Sequence, residues 1–403
     1  MIEILVIADD LTGAADTGIQ FLDLCRNRMC LADLDMDIKG ADFSGLSLNT
    51  ETRNVPVDGV KAAMARVAHL ALNLGPRMIY KKMDSSLRGY IGFELAELTR
   101  ILPGIQGVLA APALPGLGRT TVDGVHYVGG TPVSDSEAGK DPLSPVTDSR
   151  LAAILSQGHK LPVVSLDLSL IRRGAGAIAA ELSRLIELHN PVIFAADAEN
   201  EQDLNFLAQA GRVFGGRLIM AGSAGLAKAI GRQVPLASLL AEGKKPRRPL
   251  MLFGGSVSQK LREQMEFLAK SGLAHVLSPN IKMMMDDPGV MPLPAWPLGE
   301  DLALLLPPPS DEENKGGEFS WNLARAFGQV AARLVAEHKP ATIFLSGGDT
   351  AKAILSALKV DKLWLRSEIL PGVVLMETKD FFVITKAGSF GDRMLLIHLY
   401  GCL

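Results

Sequence analysis

At 403 residues, with 48% hydrophobic and 21% charged side chains, the chain is long enough for two buried cores and too apolar to be disordered. A net charge of −3 argues against a nucleic-acid partner, and no apolar run reaches the length of about eighteen residues that spans a membrane. Three cysteines (Cys25, Cys30, Cys402) and seven histidines show no metal or redox spacing, and the amino terminus enters a strand directly, so an untargeted cytoplasmic protein is expected.

Ile4 to Ala8 reads as a strand buried on both faces, and Asp9-Asp10-Leu11-Thr12-Gly13 follows where such a strand meets solvent. A single Asp there would form a turn and cap the next helix; two adjacent acids followed by Thr-Gly point to a ligand site. Ala14 to Cys25 is expected as helix, Met29 to Ala32 and Gly45 to Leu48 as short strands, the latter ending in Asn49-Thr50-Glu51-Thr52-Arg53. Val57, Val60, Met64, Val67, Ala71 and Leu74 recur at helical spacing. A strand from Met78 to Lys82 delivers Lys81-Lys82-Met83-Asp84-Ser85-Ser86-Leu87-Arg88-Gly89, and a helix from about Tyr90 to Arg100 precedes a strand from Val108 to Ala113. Such alternation predicts a parallel sheet with helices on both faces.

From Leu114 to Ser149 the alternation stops, and this Gly/Pro/Ser/Thr/Asp-rich stretch reads as a long ordered loop covering a site, with Arg119, Thr120, Asp123, His126 and Tyr127 as its polar residues. Strands then recur at Val163 to Leu168, Val192 to Ala196 and Leu218 to Ala221, with helices near Ala175 to Leu188 and from Glu201. Gln233 to Pro249 is polar and proline-bounded. Domains are therefore expected at residues 1–235 and 250–403, with a linker at 236–249.

The second domain opens with a strand running into Gly254-Gly255-Ser256-Val257-Ser258-Gln259 and a helix to about Lys270. Ser278 to Glu318, rich in Pro, Met and acid, reads as a surface excursion; Phe319 to His338 reads as helix. Thr342 to Leu345 then delivers Ser346-Gly347-Gly348-Asp349-Thr350, and Phe381 to Thr385 delivers Lys386-Ala387-Gly388-Ser389-Phe390-Gly391-Asp392. Each glycine turn alone is a weak signal, because strand-to-helix turns take glycine for steric reasons. Three converging turns of bare backbone N–H groups are expected to make a nucleotide site. Lys386 and Asp349 are candidates for a phosphate cation and a magnesium-linked carboxylate, against a surface lysine and a helix-capping Asp. No P-loop occurs. Gly174-Ala175-Gly176-Ala177-Ile178-Ala179 matches a dinucleotide fingerprint with Asp197 downstream, but Ser169 to Arg173 separate it from its strand, which favours a helix of small residues packed on a sheet.

The amino-terminal half instead gathers Asp9, Asp10, Arg53, Lys82, Asp84, Ser85 and Arg88 at strand ends. A planar Arg fork suits a carboxylate, and Asp, Ser and Lys suit hydroxyls on a short chain, a set that describes a polyhydroxy acid. The bland alternative is a solvated charged turn with a surface ion pair at Arg53.

Ala8-Asp9-Asp10-Leu11-Thr12-Gly13-Ala14, Lys82 to Gly89, Ala111-Pro112-Ala113 with Gly118-Arg119-Thr120-Thr121, Asp123 to Tyr127, Ser346 to Thr350 and Lys386 to Gly391 together resemble, in collinear order, the motif series of the four-carbon acid-sugar kinases. The resemblance implies two α/β domains, each with a largely parallel sheet flanked by helices, and an active site in the cleft between them. It also implies transfer of the γ-phosphate of magnesium-bound ATP to the terminal C4 hydroxyl of a tetronate. By motif, Asp10, Arg53, Lys82, Met83, Asp84 and Ser85 match substrate positions, joined by Asp9 and Arg88 from the strand-end reading. Ser256 or Ser258, Gly347, Gly348, Asp349, Thr350, Gly388, Phe390 and Gly391 match nucleotide positions, with Lys386 beside them. Asp10 is expected to orient and deprotonate the acceptor hydroxyl, Arg53 to hold the C1 carboxylate, and Lys82 with Asp84 the middle hydroxyls.

Ser346 stands where Thr is frequent, Ser389 where Gly is frequent, and Met376 to Lys379 lacks the usual glycines. Ala15-Asp16-Thr17-Gly18 is more similar to threonate and erythronate kinases than to 3-oxo-tetronate kinases; D-threonate is the expected substrate, with D-erythronate and 3-oxo-tetronate as the alternatives. The rival classes are a non-catalytic acid-sugar sensor and a dinucleotide-dependent oxidoreductase. A homodimer is left open.

Overall fold

The computed structural model describes residues 1–35, 42–141, 143–231, 245–255, 258–293, 300–307, 317–388 and 390–402. The chain divides into two compact units, Met1–Gln233 and Val234–Leu403. Residues 236–244 of the expected linker, together with Ser256 and Ser389, lie outside the described residues.

The first unit begins with β1 (Ile4–Ala8), β2 (Met29–Asp33), β3 (Gly45–Asn49), β4 (Met78–Lys82) and β5 (Gly107–Ala111). All five residues of β1 are buried, as the unbroken apolar run requires for a strand covered on both faces. The helix Val57–Leu74 buries Val60, Met64, Val67 and Ala71 on one stripe and ends at Gly75, whose φ of 57° supplies the left-handed cap.

The stretch from Leu114 to Ser149, expected as a long ordered loop, holds strands of its own. Within it β6 (Arg119–Val122), β7 (Val125–Val128) and β8 (Thr131–Pro132) form a small antiparallel sheet. Asp123 and Gly124, at φ 51° and 74°, make the two-residue turn whose left-handed pair matches the twist of a hairpin. The main sheet resumes with β9 (Val163–Leu166), β10 (Val192–Ala196) and β11 (Leu218–Gly222). Its order is β2-β3-β1-β4-β11-β5-β10-β9, every pair parallel. From β1 the chain winds one way to β2, and from β3 it crosses back to β4, so β1 stands at a reversal of winding, where α/β sheets open a crevice at their carboxyl edge. The helix Leu168–Ile171 fills the gap between β9 and Gly174, and Gly174 caps the helix Ala175–Leu188, so the glycine run lacks the strand-to-helix turn of a dinucleotide site.

The second unit contains β12 (Leu250–Gly254), β13 (His275–Leu277), β14 (Leu302–Leu305), β15 (Thr342–Ser346), β16 (Lys362–Leu370), β17 (Val373–Glu377) and β18 (Phe382–Lys386). In the order β13-β14-β12-β15-β18-β17-β16, the first five strands are parallel and β17 runs antiparallel to both of its neighbours, β18 and β16. Leu252, Leu268, Phe344, Leu375, Ile384 and Leu396 share its core. Here one expectation is corrected. The stretch from Ser278 to Glu318 supplies the helix Ile281–Asp286 and the buried β14, which sits between β13 and β12. Asp301, just before β14, accepts from Leu250 N at 2.8 Å and from Arg248 Nε at 2.8 Å, fixing the entry to β12. Both units thus have largely parallel sheets flanked by helices. Among the described residues no helix is long and apolar enough to cross a membrane.

Candidate active site

In the first unit the expected polar residues meet at the carboxyl ends of β3, β1 and β4. Asp10 caps the helix Leu11–Gly18: its Oδ1 accepts from Gly13 N at 2.9 Å, and its Oδ2 accepts from Thr12 Oγ1 and Arg53 Nη1, both at 2.9 Å. Arg53 also binds Asp9 through two parallel bonds, Nε to Oδ2 and Nη2 to Oδ1, each 2.8 Å. Three of the roughly five guanidinium N–H donors are therefore spent on protein carboxylates. Burial alone would raise the Asp10 pKa, but the charges of Arg53 and Lys82 and the Thr12 hydroxyl outweigh it and hold the carboxyl below its usual range.

Asp10 Oδ1 and the Lys82 ammonium both pack closely over Gly13, which leaves no room for a side chain. A methyl group built there would lie 2.4 Å from Oδ1 and 3.1 Å from Lys82 Nζ. Lys82 is 6% exposed, and its charge acts on both Asp10 and Asp84.

Lys81 points the other way, as alternation along β4 demands, and pairs with Glu94 at 2.9 Å, both side chains being at most 2% exposed. Thr52 Oγ1 donates to Glu94 Oε1, Thr50 lies 2.8 Å from Thr52, and Thr50 Oγ1 donates to the Ala8 carbonyl at 2.9 Å. On the other side Lys81 Nζ donates to the Lys82 carbonyl at 3.1 Å. One buried polar chain thus ties the backbone before Asp9 to the backbone of Lys82. Burial raises the Glu94 pKa, and the Lys81 charge opposes it.

The turn after β4 is held from several sides. Met83, 1% exposed, donates its N–H to the Gly222 carbonyl at 2.7 Å. Arg88 Nε binds Asp84 Oδ2 at 2.7 Å, and its Nη1 reaches Asp141 Oδ2 at 3.2 Å. Burial opposes ionisation of Asp84, but the charges of Arg88 and Arg53 drive its pKa far below the usual range. Ser144 Oγ accepts from Gly89 N at 2.8 Å, and His126 Nε2 lies 3.0 Å from the Ser85 carbonyl. Leu87, at φ 61°, is an apolar residue in the left-handed region, a conformation that persists only where surroundings impose it. Asp9, Asp10, Arg53, Lys82, Met83, Asp84, Ser85 and Arg88 thus share one neighbourhood. Lys81, Glu94, Thr52, Asp141 and Ser144 join them without having been expected. The one available signal was Lys81, a charge in a strand that is buried on both faces and therefore needs a partner.

In the second unit the three glycine turns leave the adjacent parallel strands β12, β15 and β18. Gly347, at φ 100°, caps the helix Gly348–Ala357, whose first N–H groups are free of intrahelical partners, and Gly347 N donates to the Lys386 carbonyl at 3.1 Å. Gly255 lies so close to Thr350 that a Cβ on it would fall 2.1 Å from Thr350 Oγ1. Among the described residues Ser346 Oγ has no hydrogen-bond partner, although it is buried. A bare-backbone cradle with an unsatisfied hydroxyl and a helix amino terminus suits phosphate oxygens. Asp349 stands in the first turn of that helix, and Ser258 precedes the helix Gln259–Ser271. Lys386 is used differently from the expectation. Its ammonium donates to the carbonyls of Ala387, Gly388 and Phe390 at 2.9–3.1 Å, so it folds the loop around Gly388 and Gly391. Among the described residues no cluster of three or more His, Cys, Asp or Glu side chains could hold a metal ion. Magnesium, which binds through a few carboxylates plus substrate phosphates, needs no such cage.

A family model described as a sugar-binding N-terminal domain matches residues 4–230, and one described as a nucleotide-binding C-terminal domain matches residues 310–396. The chain is 30% identical to a D-threonate kinase of Salmonella typhimurium, covering 99% of this chain and 98% of that one. It is 31% identical to a D-threonate kinase of Bordetella bronchiseptica, covering 98% and 95%. A solved structure from Salmonella typhimurium LT2, 22% identical, superposes with a TM-score of 0.81 over 99% of both chains, which shows the shared fold.

Proposed function

The chain belongs to the four-carbon acid-sugar kinase family, and from that premise we propose that it transfers the γ-phosphate of ATP to the C4 hydroxyl of D-threonate, giving ADP and 4-phospho-D-threonate. The observation that carries this reading is the convergence of Asp10, held below its usual pKa, with the Lys82 ammonium over Gly13 at the carboxyl ends of β1 and β4. An acceptor hydroxyl brought to Asp10 donates to its carboxylate while Lys82 neutralises charge near it.

Phosphoryl transfer leaves the protein little covalent work, so positioning and charge carry most of the barrier reduction. Asp10 orients the hydroxyl and takes its proton late, as the bond to phosphorus forms; a carboxylate of depressed pKa suffices for that order of events. Lys82 and Asp84 hold the middle hydroxyls. Arg53 is bound to Asp9 and touches Asp10, while C1 and C4 of the acid are three bonds apart, so its role shifts from holding the substrate carboxylate to holding Asp10 ionised. The carboxylate is then assigned to Arg88, which also binds Asp84 and Asp141 but whose side chain is 30% exposed against 13% for Arg53. In the second unit the turns at Gly254-Gly255, Gly347-Gly348 and Gly388 to Gly391 receive the ATP phosphates. Magnesium bound to ATP would neutralise charge on the phosphate oxygens, and Asp349, in the first turn of the helix Gly348–Ala357, is the carboxylate that would hold it.

The test is coupled ADP release over D-threonate, D-erythronate, 3-oxo-tetronate and longer aldonates, with the phosphate position assigned on the product by phosphorus–proton NMR. D-Threonate phosphorylated at C4 is expected to be the best substrate. Ligand binding without ADP release from any acid would replace the kinase reading with that of a sensor, and product phosphorylated away from C4 would remove Asp10 from the hydroxyl.

A further inference from the structure

The hairpin of β6 and β7 is anchored at both ends of its turn. Thr121 and Ala198 exchange backbone hydrogen bonds at 2.9 and 3.0 Å, Gly124 N donates to Asp197 Oδ1 at 3.0 Å, and His126 N donates to the Ser149 carbonyl at 2.7 Å. His126 itself is fully buried, and its ring spans the distance from the hairpin to the turn after β4. Nε2 lies 3.0 Å from the Ser85 carbonyl and Nδ1 2.9 Å from Thr121 Oγ1. A carbonyl oxygen only accepts, so Nε2 carries the proton; in the neutral ring Nδ1 then accepts from the Thr121 hydroxyl. Both ring nitrogens are satisfied in this one tautomer.

We infer that His126 is a positioning residue for the acceptor: by holding the Ser85 carbonyl it fixes Asp84 and Ser85 relative to Asp10 and so sets the affinity for the acid sugar. Two further contacts from the same segment, Asp141 on Arg88 and Ser144 on the Gly89 amide, grip the turn without touching Ser85. They leave its central carbonyl to His126. The left-handed Leu87, two residues on, makes that turn a strained element that relaxes when a restraint is removed. The inference rests on the reading that this turn holds the acceptor, whereas ATP is assigned to the second unit.

Its test compares His126→Leu, which removes both hydrogen bonds, His126→Gln, whose terminal amide can still donate to Ser85, and Asp84→Asn, which strikes the acceptor site directly. Kinetics are measured with D-threonate and ATP at a temperature where circular dichroism shows each variant folded. His126→Leu is expected to raise KM for D-threonate about tenfold or more with KM for ATP within about twofold, and His126→Gln to recover most of that loss. An unchanged D-threonate KM in folded His126→Leu, or equal changes in both KM values, would overturn the inference. If Asp84→Asn also leaves the D-threonate KM unchanged, the failure belongs to the acceptor-site reading instead. Should His126→Leu not fold, nitrogen-15 NMR of the wild-type imidazole decides: an Nε2–H tautomer in slow exchange is expected, and an Nδ1–H tautomer would overturn the inference.

Discussion

Arg53 and Asp9 meet fork to fork, two bonds of 2.8 Å, and the one remaining terminal nitrogen of Arg53 bonds to Asp10. One guanidinium thereby binds two carboxylates adjacent in sequence and holds the Asp10 carboxyl below its usual range. Replacing Arg53 with Met should destabilise the first unit by about 3–5 kcal/mol, because it strands buried charge, and Arg53→Lys should cost less. Arg53 is the largest influence lowering the Asp10 pKa, so loss of its charge moves the acid limb of kcat/KM upward. A pH–rate profile of folded Arg53→Met whose acid limb stays at the wild-type position would detach that limb from Asp10.

Gly13→Ala tests the close approach of Asp10 and Lys82 over the helix start. In most helices the change stabilises by up to about 1 kcal/mol. Here the new methyl lies 2.4 Å from the oxygen expected to face the acceptor and 3.1 Å from the Lys82 ammonium. Turnover should fall by about two orders of magnitude, as for a misplaced base, while ATP affinity measured by calorimetry holds. A near-native kcat would show that the acceptor lies elsewhere.

Gly255→Ala is the counterpart in the second unit. Its Cβ collides with Thr350, pushing the first glycine turn off the helix that starts at Gly348. ATP affinity should drop about tenfold or more, with the D-threonate affinity of the first unit unaffected. Equal loss of both ligands would point to general unfolding rather than a phosphate cradle.

The acidic turn after β1 and the glycine turns were legible because each lies at a strand end that local pattern already marks. Asp123-Gly124, flanked by Thr121-Val122 and Val125-His126, was an equally strong hairpin signal. It was lost because the surrounding glycines and prolines dominate the composition. β14 was hidden for a similar reason: Leu302 to Leu305 is only four residues, wedged between acids and three prolines. The partners of Arg53, Lys81 and His126 were not legible at all. Ion pairs between residues 13 to 44 positions apart are set by strand order, and the sequence pattern predicts a parallel sheet without fixing which strand ends become neighbours.

The Lys81–Glu94 pair illustrates the cost of that buried arrangement. Glu94→Gln keeps an acceptor for Thr52 but leaves the Lys81 ammonium without its counter-charge, and should destabilise by about 3–5 kcal/mol. Lys81→Met combined with Glu94→Leu removes both charges at similar volume and should recover most of the stability. The double variant still lacks the bond from Lys81 to the Lys82 carbonyl, so its kcat should remain reduced. Full recovery of kcat together with stability would make the pair a filler of the core with no hold on Lys82.

Two buried groups at the β6–β7 hairpin should pull stability in opposite directions as pH falls. Burial, with Arg119 nearby, holds the His126 pKa down to about 4 from its usual 6.5. The unfolded chain therefore binds more protons between those values, so the His126 contribution is complete above pH 6.5 and is lost as pH falls through about 4, by up to about 3 kcal/mol. Asp197 accepts from Gly124 N at Oδ1 but has a buried, unpartnered Oδ2, and burial raises its pKa to about 6 from 3.8. There the native state binds the extra proton, so acidification from pH 6 to 4 stabilises, by roughly 1–3 kcal/mol. The two nearly cancel in the wild type, and single substitutions separate them. Native-state hydrogen exchange of β4 and β5 amides reports the first unit alone. The advantage of wild type over His126→Gln should shrink on going from pH 7 to pH 4.5, and the advantage over Asp197→Asn should grow. Parallel curves for all three proteins would mean that neither group titrates differently in the folded and unfolded states.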